Sequence, residues 1–451
     1  MNKNAVAAIF DIGKTNKKLF LFNEQYQIVW EKTARFDEIT DEDGFPCEDI
    51  HTLTQWVLDA VKEVLTLSEF EIKAINFSAY GASFVYIDKA GKVILPLYNY
   101  LKPYPETLKR QFYQQYGGEE KISLETASPV LGSLNSGMQL FRLKHEKPEI
   151  YSDIQYCLHF PQYFAWLLSG EAVSEVTSIG CHTNLWNFQT NHYHTWVSDE
   201  KIADKLPPLA DSDSVSVGKM LGKKYLTGRG LHDSSAALLP YLIHFQEPFL
   251  LLSTGTWSIS LNPFNHSPLT ASELQADCLS YMQFNGHPVK ASRLFAGYEH
   301  EQETDRLAEY FHCAKDAYVK LAFNPHLLPT VSDNLEEISF SSRDLGVFDS
   351  YEKAYHQLVT DIMYKQKKST ELVINDKVKR IFVDGGFSKN AVFMNLLART
   401  FPETEVYAAS IAQASALGAA LAIHRHWNNM PPGQDLIGMQ YYSVSYKPIL
   451  S

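Results

Sequence analysis

Short apolar runs, each broken by a small polar turn with a glycine at its centre, set the rhythm of this chain. Val6-Ala-Ala-Ile-Phe10 is continuous enough to be a buried strand. After the turn, "KKLFLFNEQYQIVW" is again strand-like, with Tyr26, Ile28 and Trp30 alternating. The period then changes. Ile50, Leu53, Trp56, Val57, Ala60, Val61 and Val64 fall on one helical stripe, and Asp49 stands where an N-cap belongs. "AINFSAYGASFVYID" returns to strand, with Lys89-Ala90-Gly91 as its turn. From Pro103 to Trp196 the pattern is mostly helical, including Gln155 to Leu168, which Ser169-Gly170 closes.

The second half restarts the opening pattern. Phe249 to Leu252 is an apolar strand, Ser253 to Thr256 a turn, and Trp257 to Leu261 an alternating strand. This strand–turn–strand unit parallels "AAIF-DIGKT-NKKLFLF" and suggests two related halves facing each other. Ile381 to Gly386 is a strand entering a Gly-Gly turn, Asn390 to Phe401 has helical periodicity, and Ile411 to His424 is a helix of almost only small residues. Strands followed by helices in both halves predict an α/β architecture.

Composition narrows the function more than the fold. At 451 residues the chain is too long for one core and predicts two domains, or three. The net charge is −12 with both signs interspersed, which argues against a nucleic-acid surface or a polybasic membrane patch. Cys47, Cys157, Cys181, Cys278 and Cys313 are odd in number, widely spaced and form no C-x-x-C, so neither a disulfide framework nor a zinc site is expected. They read as reduced thiols of a cytoplasmic protein. The N-terminus has no signal-peptide apolar run, and no run is long enough to cross a bilayer. The richest, Ala236 to Leu252, is broken by Pro240, His244, Gln246, Glu247 and Pro248.

Four stretches carry candidate chemistry. In "FDIGKTNKK" (Phe10 to Lys18), Gly13-Lys14-Thr15 matches the end of a P-loop. That motif needs an earlier glycine, where Ala8 stands, and a helix to follow, where a strand follows. A tight hairpin can still hold phosphate through successive backbone N–H groups, hydroxyls and a lysine, and Asp11 at the strand end can hold Mg2+. A plain hairpin turn is the other reading. "STGTW" offers Thr254, Gly255 and Thr256 in a second such turn, and two opposed hairpins could grip a triphosphate from both sides. In "GRGLHDSSAALLP", Asp233 follows a glycine-rich loop and precedes a helical run, as either a helix cap or a general base. In "VDGGFSKN", Gly385-Gly386 lets backbone approach a flat ligand, and Ser388 or Asn390 caps the next helix.

These pieces, in this order, resemble the FGGY carbohydrate kinases of the actin-like ATPase superfamily over nearly the whole chain. "DIGKTNKK" is similar to the first phosphate motif of that family and "GLHDSSAA" to its catalytic-Asp loop. "STGTWSI" is similar to the second phosphate motif, nearest the rhamnulokinase branch, as is "FPQYFAWLLSGEAVSEVTSIG". "VDGGFSKNAVFMNLLA" resembles the adenosine motif and "QASALGAALA" the helix after it. The resemblance implies two actin-like (ribonuclease H-like) domains, residues 1–243 and 244–451, each a mixed sheet flanked by helices, with the active site in the cleft between them.

By resemblance, Gly13, Thr15, Asn16, Lys18, Thr254, Gly255 and Thr256 hold the phosphates of ATP. Asp11, with Asp233, holds Mg2+, and Asp233 accepts the proton of a sugar hydroxyl, a terminal primary one. Gly385, Gly386 and Asn390 border adenosine. His232, Gly81, Ala82 and Ser83 are the sugar-side candidates. The expected partners are therefore ATP and a ketose, with L-rhamnulose the first choice and L-fuculose, xylulose or ribulose as alternatives. No nucleic acid or membrane is expected, and a homodimer is left open. Departures fall on the sugar side. Ser83 stands where many relatives carry Asp, "NYLKPYPE" replaces a Tyr-Arg-Asp-x-Arg type of segment, and the distal signature is degenerate around "AYHQLVTDIMYK". A sugar sensor without turnover and an actin-like ATPase are the competing classes. Lys14 falls where relatives usually have a small residue.

Overall fold

Two seven-stranded sheets with matching connections organise the chain. The computed structural model describes residues 3–328, 339–411, 413–433 and 436–443. In the first sheet the strands run, edge to edge, Val215–Met220, Lys223–Gly228, Phe70–Ala79, Asn4–Ile12, Lys17–Asn23 and Ile28–Ala34, with Leu231–His232 also pairing with Phe70–Ala79. The second runs Cys278–Met282, Pro288–Leu294, Ser258–Asn262, Phe249–Thr254, Arg380–Gly385, Glu405–Ser410 and Gly438–Tyr442. In both, the central strand is antiparallel to the strand after its hairpin and parallel to its other neighbour. The repeat seen in the sequence is thus a repeat of topology, and the molecule is two α/β units with mixed sheets.

The continuous apolar runs follow from burial on both faces. Along Asn4–Ile12, Val6, Ala8 and Phe10 face one core with the helix Ile50–Thr66, whose Leu53, Val57, Ala60, Val61 and Val64 are buried. Asp49 caps that helix by accepting from the N–H groups of His51 and Thr52. Ala7 and Ile9 face the opposite core, which holds Ala416, Ala419 and Ala420 of the helix Ala414–Ala422. Each fully buried Val or Leu contributes about 1.5–3 kcal/mol.

Two helices trade sides. Asp233–His244 follows the first sheet, yet its Leu238 and Tyr241 pack with Phe249, Leu251 and Phe382 of the second. Ala414–Ala422 follows the second sheet yet covers the first. The two helices cross backbone to backbone, for a Cβ at Gly418 would overlap the Ala236 carbonyl. Small residues are what this crossing requires, and Ala412, part of the expected helix, lies outside the described residues.

Three local expectations change. "KKLFLFNEQYQIVW" is two strands, because Asn23 Oδ1 accepts from the N–H groups of Gln25 and Gln27 and folds the chain back. "AINFSAYGASFVYID" is also two. Ala82 takes φ +62°, and Phe84–Asp88 leaves the main sheet to pair with Ile154–His159. Gln155 to His159 is therefore strand, and the helix begins only at Phe160, with Pro161 in its first turn. The five cysteines are free. No helix among the described residues is long and apolar enough to cross a membrane.

"NYLKPYPE" carries a buried cation. Lys102 Nζ lies 2.5 Å from Asp41 Oδ2 and 2.7 Å from Asp43 Oδ2, and the Asp41 side chain is fully buried. Burial works to raise the Asp41 pKa, but the Lys102 ammonium and the N–H groups of Phe45 and Asp43 outweigh it and hold the carboxyl below its usual range. Removing one partner strands a buried charge. Lys102→Met is expected to cost about 3 kcal/mol in urea unfolding at pH 7. Because the Asp41 pKa is depressed on folding, that cost is full above an aspartate's ordinary value of about 3.9 and shrinks as pH falls below it. A pH-independent cost would refute the pairing.

Candidate active site

Register brings two carboxylates to the same end of the first sheet. Asp11 pairs with Lys18 across the hairpin and with Ser78 on the parallel strand, and Ser78 pairs in turn with Leu231. Asp11 and Asp233 therefore sit at the carboxyl ends of parallel strands, about two strand spacings or ~10 Å apart along the sheet edge. This is where open α/β sheets bind ligands. Asp233 opens its helix, and its Oδ1 accepts from its own neighbour's Ser234 N–H at 2.6 Å rather than capping deeper in the turn. Its side chain remains 38% exposed.

Both carboxyls are raised to about 6. Burial is the first cause in each; for Asp11 the charge of Asp233 adds to it, while the Ser415 hydroxyl and Lys18 oppose it. A carboxylate raised by the charge of a second carboxylate favours a cation or an incoming proton nearby. A recess of about 220 Å³ opens here, lined by Asp233, Ser234 and Ala237 from one half and by Ser253, Tyr281 and Ser415 from the other. Ser253, Tyr281 and Ser415 were not legible as site residues, because the crossing of the two helices and sheets brings them in from far along the chain.

The first hairpin is closed by Gly13 N–H donating to the Asn16 carbonyl at 3.0 Å. Thr15 lies at its exposed tip. Asn16 Oδ1 accepts from Arg35 at 2.7 Å, so that side chain is already engaged. Lys14 turns away to Glu38 at 2.6 Å, and Lys17, buried, pairs with Glu48 at 2.9 Å. Lys18 instead reaches across to Gln413 at 3.3 Å and is near enough to Asp11 to lower its pKa.

In the second hairpin Gly255 N–H donates to the Trp257 carbonyl at 2.8 Å. Thr254 is buried, donating to the Asp384 carbonyl at 2.5 Å and accepting from Phe387 N–H at 3.0 Å, so its hydroxyl joins the hairpin to the Gly-Gly turn. Thr256 and Gly255 are exposed at the tip. Gly385 (φ +88°) lies against Thr254, where a Cβ would overlap the Thr254 carbonyl. Gly386 has open space instead. Asn390 caps the helix Ala391–Thr400 through Phe393 N–H and donates to Tyr355 Oη at 2.6 Å.

Gly255, Gly386 and Asn390 border a cavity of about 560 Å³ whose far wall is Gly297, His300, Thr304 and Tyr318. Sequence reasoning missed that wall. Its one local signal was Gly297, where a Cβ would overlap the Gly255 carbonyl.

Of the residues expected to face the sugar, His232 is buried, and its backbone N–H donates to Thr177 Oγ1 at 3.0 Å. Burial pushes its imidazole down to about 4, so it is neutral at pH 7, and the 3.4 Å approach of its Nδ1 to Asp233 Oδ1 is not an ion pair. Gly81 is held against the ring, since a Cβ there would come within 2.5 Å of His232 Cδ2. The Ala82 carbonyl accepts from Gln139 at 2.7 Å, and the Ser83 hydroxyl, buried, donates to the Tyr98 carbonyl at 3.0 Å.

Residues 6–228 match the N-terminal domain of the FGGY family of carbohydrate kinases, and residues 246–431 the C-terminal domain of carbohydrate kinase FGGY. The chain is 22% identical to a rhamnulokinase of Oceanobacillus iheyensis over 453 residues, 90% of each chain. A rhamnulokinase of Yersinia pseudotuberculosis is 25% identical over 278 residues, 59% of this chain and 55% of that one. Among solved structures, a carbohydrate kinase from Novosphingobium aromaticivorans superposes with a TM-score of 0.78 at 22% identity, covering 98% of this chain and 97% of the other. A ligand-bound xylulose kinase from Lactobacillus acidophilus gives 0.79 at 16%, covering 97% and 94%. With both family domains matched in order around one cleft, the chain belongs to the FGGY family and is an ATP-dependent carbohydrate kinase.

Proposed function

We propose that the chain phosphorylates a terminal primary hydroxyl of a ketose, L-rhamnulose before L-fuculose, xylulose or ribulose. The observation that carries the mechanism is that Asp11 and Asp233 stand at the same end of the first sheet, Asp233 in a recess walled by both halves, with a hairpin following each central strand. Asp233 accepts the hydroxyl proton through a carboxylate that is only partly open to the recess, and a pKa of about 6 suits a base that works near neutrality. The N–H groups and hydroxyls at the tips, Gly13 to Asn16 and Gly255 to Thr256, hold the phosphates. Gly386 and Asn390 border the base and ribose in the 560 Å³ cavity. Mutually repelling Asp11 and Asp233 fit Mg2+, an oxygen-seeking cation that neutralises phosphate charge when bound. The proposed domain limit, between 243 and 244, lies in the last turn of the helix Asp233–His244.

The choice of sugar rests on Gly255-Thr256-Trp257-Ser258 and on the similarity to rhamnulokinases. Coupled ADP release with L-rhamnulose, L-fuculose, D-xylulose, L-ribulose, D-ribulose and glycerol tests it. L-rhamnulose is expected to give the highest kcat/KM. A higher value for another sugar overturns the substrate, and tight sugar binding in calorimetry without ADP release would instead mark a sensor.

The two lysines of the first hairpin separate cleanly. Lys14 is already held by Glu38, while Lys18 faces Asp11. Lys18→Ala is expected to raise the KM for ATP about tenfold, worth about 1.4 kcal/mol, and Lys14→Ala less than twofold. The reverse order would assign the phosphate contact to Lys14.

A further inference from the structure

Beside the base lies a cluster the phosphoryl transfer does not use. Cys181 and His182 follow the short helix Val176–Ile179, and His232 ends the strand Leu231–His232. One ligand atom from each lies within 4.8 Å of the other two, and all three residues are buried. Among the described residues no other such group of three exists. Each ring nitrogen turned away from the centre already has a neighbour. His182 Nδ1 is 3.1 Å from the Leu134 carbonyl, and His232 Nδ1, buried without a hydrogen-bond partner, lies 3.4 Å from Asp233 Oδ1. His232 Nε2 already faces Cys181 Sγ, and the Leu134 contact leaves His182 Nε2 to turn inward, as an outer-shell carbonyl orients a histidine ligand. His182 holds φ +41°, a strained backbone for a non-glycine residue, and its ring centroid lies 6.3 Å from that of His232.

We propose that Cys181, His182 and His232 bind one thiophilic divalent cation of the Zn2+ class, through one thiolate and two imidazoles, with a fourth position open. This donor set suits Zn2+ and is foreign to Mg2+, which takes oxygen ligands. The site is therefore separate in chemistry from the carboxylates Asp11 and Asp233. Cys181 Sγ and His232 Nε2 stand 3.2 Å apart, as a thiol hydrogen-bonded to an imidazole. Around a tetrahedral zinc they would open to about 3.6 Å, given bonds of about 2.3 and 2.05 Å. Binding replaces that hydrogen bond with metal–sulfur and metal–nitrogen bonds and releases the thiol proton to solvent. With Nε2 on the metal, the His232 proton resides on Nδ1, facing Asp233, so the cation fixes the orientation of the ring beside the base. The spacing of the cysteines predicts no zinc site because the cluster joins positions 51 residues apart.

The test uses the full chain, cleared of metal with EDTA and free of ATP, sugar and Mg2+, so its outcome is independent of the kinase reading. Titration with Co2+ is expected to give a thiolate-to-cobalt charge-transfer band that saturates at one ion per chain and is displaced by one equivalent of Zn2+. Cys181→Ser is expected to abolish the band, and His182→Gln to weaken Zn2+ at least tenfold in competition with a chromophoric chelator. Cys313→Ser, which alters a cysteine outside the cluster, keeps it. Zn2+ raises the Tm of the wild type and not of the two cluster variants. If Cys181→Ser does not fold, His182→Gln alone decides. Absence of the band in the wild type, or unchanged Zn2+ affinity in His182→Gln, overturns the proposal.

Discussion

Asp233→Asn is expected to lower kcat by about 10²–10⁴-fold, about 3–5 kcal/mol of barrier, while the fold and ATP affinity persist. The amide is nearly the size of the carboxyl, and its oxygen still accepts from Ser234 N–H, which anchors Oδ1 at 2.6 Å. What it loses is the ability to take a proton. Because burial already disfavours the charged form, and the Asp233 charge raises the pKa of Asp11, removing this charge relieves repulsion. The variant is therefore expected to melt at the same temperature as the wild type or higher, the mark of a residue kept for chemistry at a cost in stability. Single-turnover phosphoryl transfer, nucleotide binding by calorimetry and a thermal melt separate the three effects. Near-normal turnover removes Asp233 from its role; a lower Tm with lost ATP binding makes it structural.

The hairpins were legible because their signals are local: an apolar run, a glycine-centred turn, another run. Val6–Phe10 and Phe249–Leu252 lie within the central strands Asn4–Ile12 and Phe249–Thr254, the second strand running two residues into the expected turn. Boundaries failed where a long-range partner decides. Gln155 to Leu168 is rich in apolar residues at both periods, and only pairing with Phe84–Asp88 makes its first part strand. Likewise the small residues of Ala414–Ala422 predict close packing without saying against what. The answer, the helix Asp233–His244 and the first sheet, needs both halves folded together. The candidate site divides the same way. Asp11, Asp233 and the two tips lie in sequence motifs, whereas Ser253, Ser415, Tyr281 and the wall from Gly297 to Tyr318 arrive through the crossing of elements. Ser83 shows a third case. Its type and position suggest a sugar contact, while its hydroxyl is spent on the Tyr98 carbonyl.

Adjacent glycines in the "VDGGFSKN" turn are expected to behave in opposite ways. Gly385 ends its strand at φ +88° beside Thr254, and Gly386 N–H donates to the Thr254 carbonyl at 2.8 Å. A methyl group at 385 would overlap that same carbonyl and sit on a backbone that L-residues rarely adopt. Gly385→Ala must therefore separate the two parallel strands at the point where they present the second hairpin. The expected loss is about 3 kcal/mol, or roughly 6–12 °C in Tm for a domain of about 200 residues. Since Thr254 also holds Phe387 N–H, the tip and the Gly-Gly turn are displaced together, and ATP binding falls with stability. At Gly386 a methyl group meets nothing within contact range, and φ is helical, so the fold accepts it. The methyl would project toward the 560 Å³ cavity that Gly386 lines. Gly386→Ala is thus expected to leave the Tm within about 2 °C and raise the KM for ATP several-fold. Calorimetric melts and ATP kinetics on the pair decide the matter. Equal destabilisation of both would mean that the turn is not built as described, and an unchanged KM in Gly386→Ala would move adenosine away from this wall.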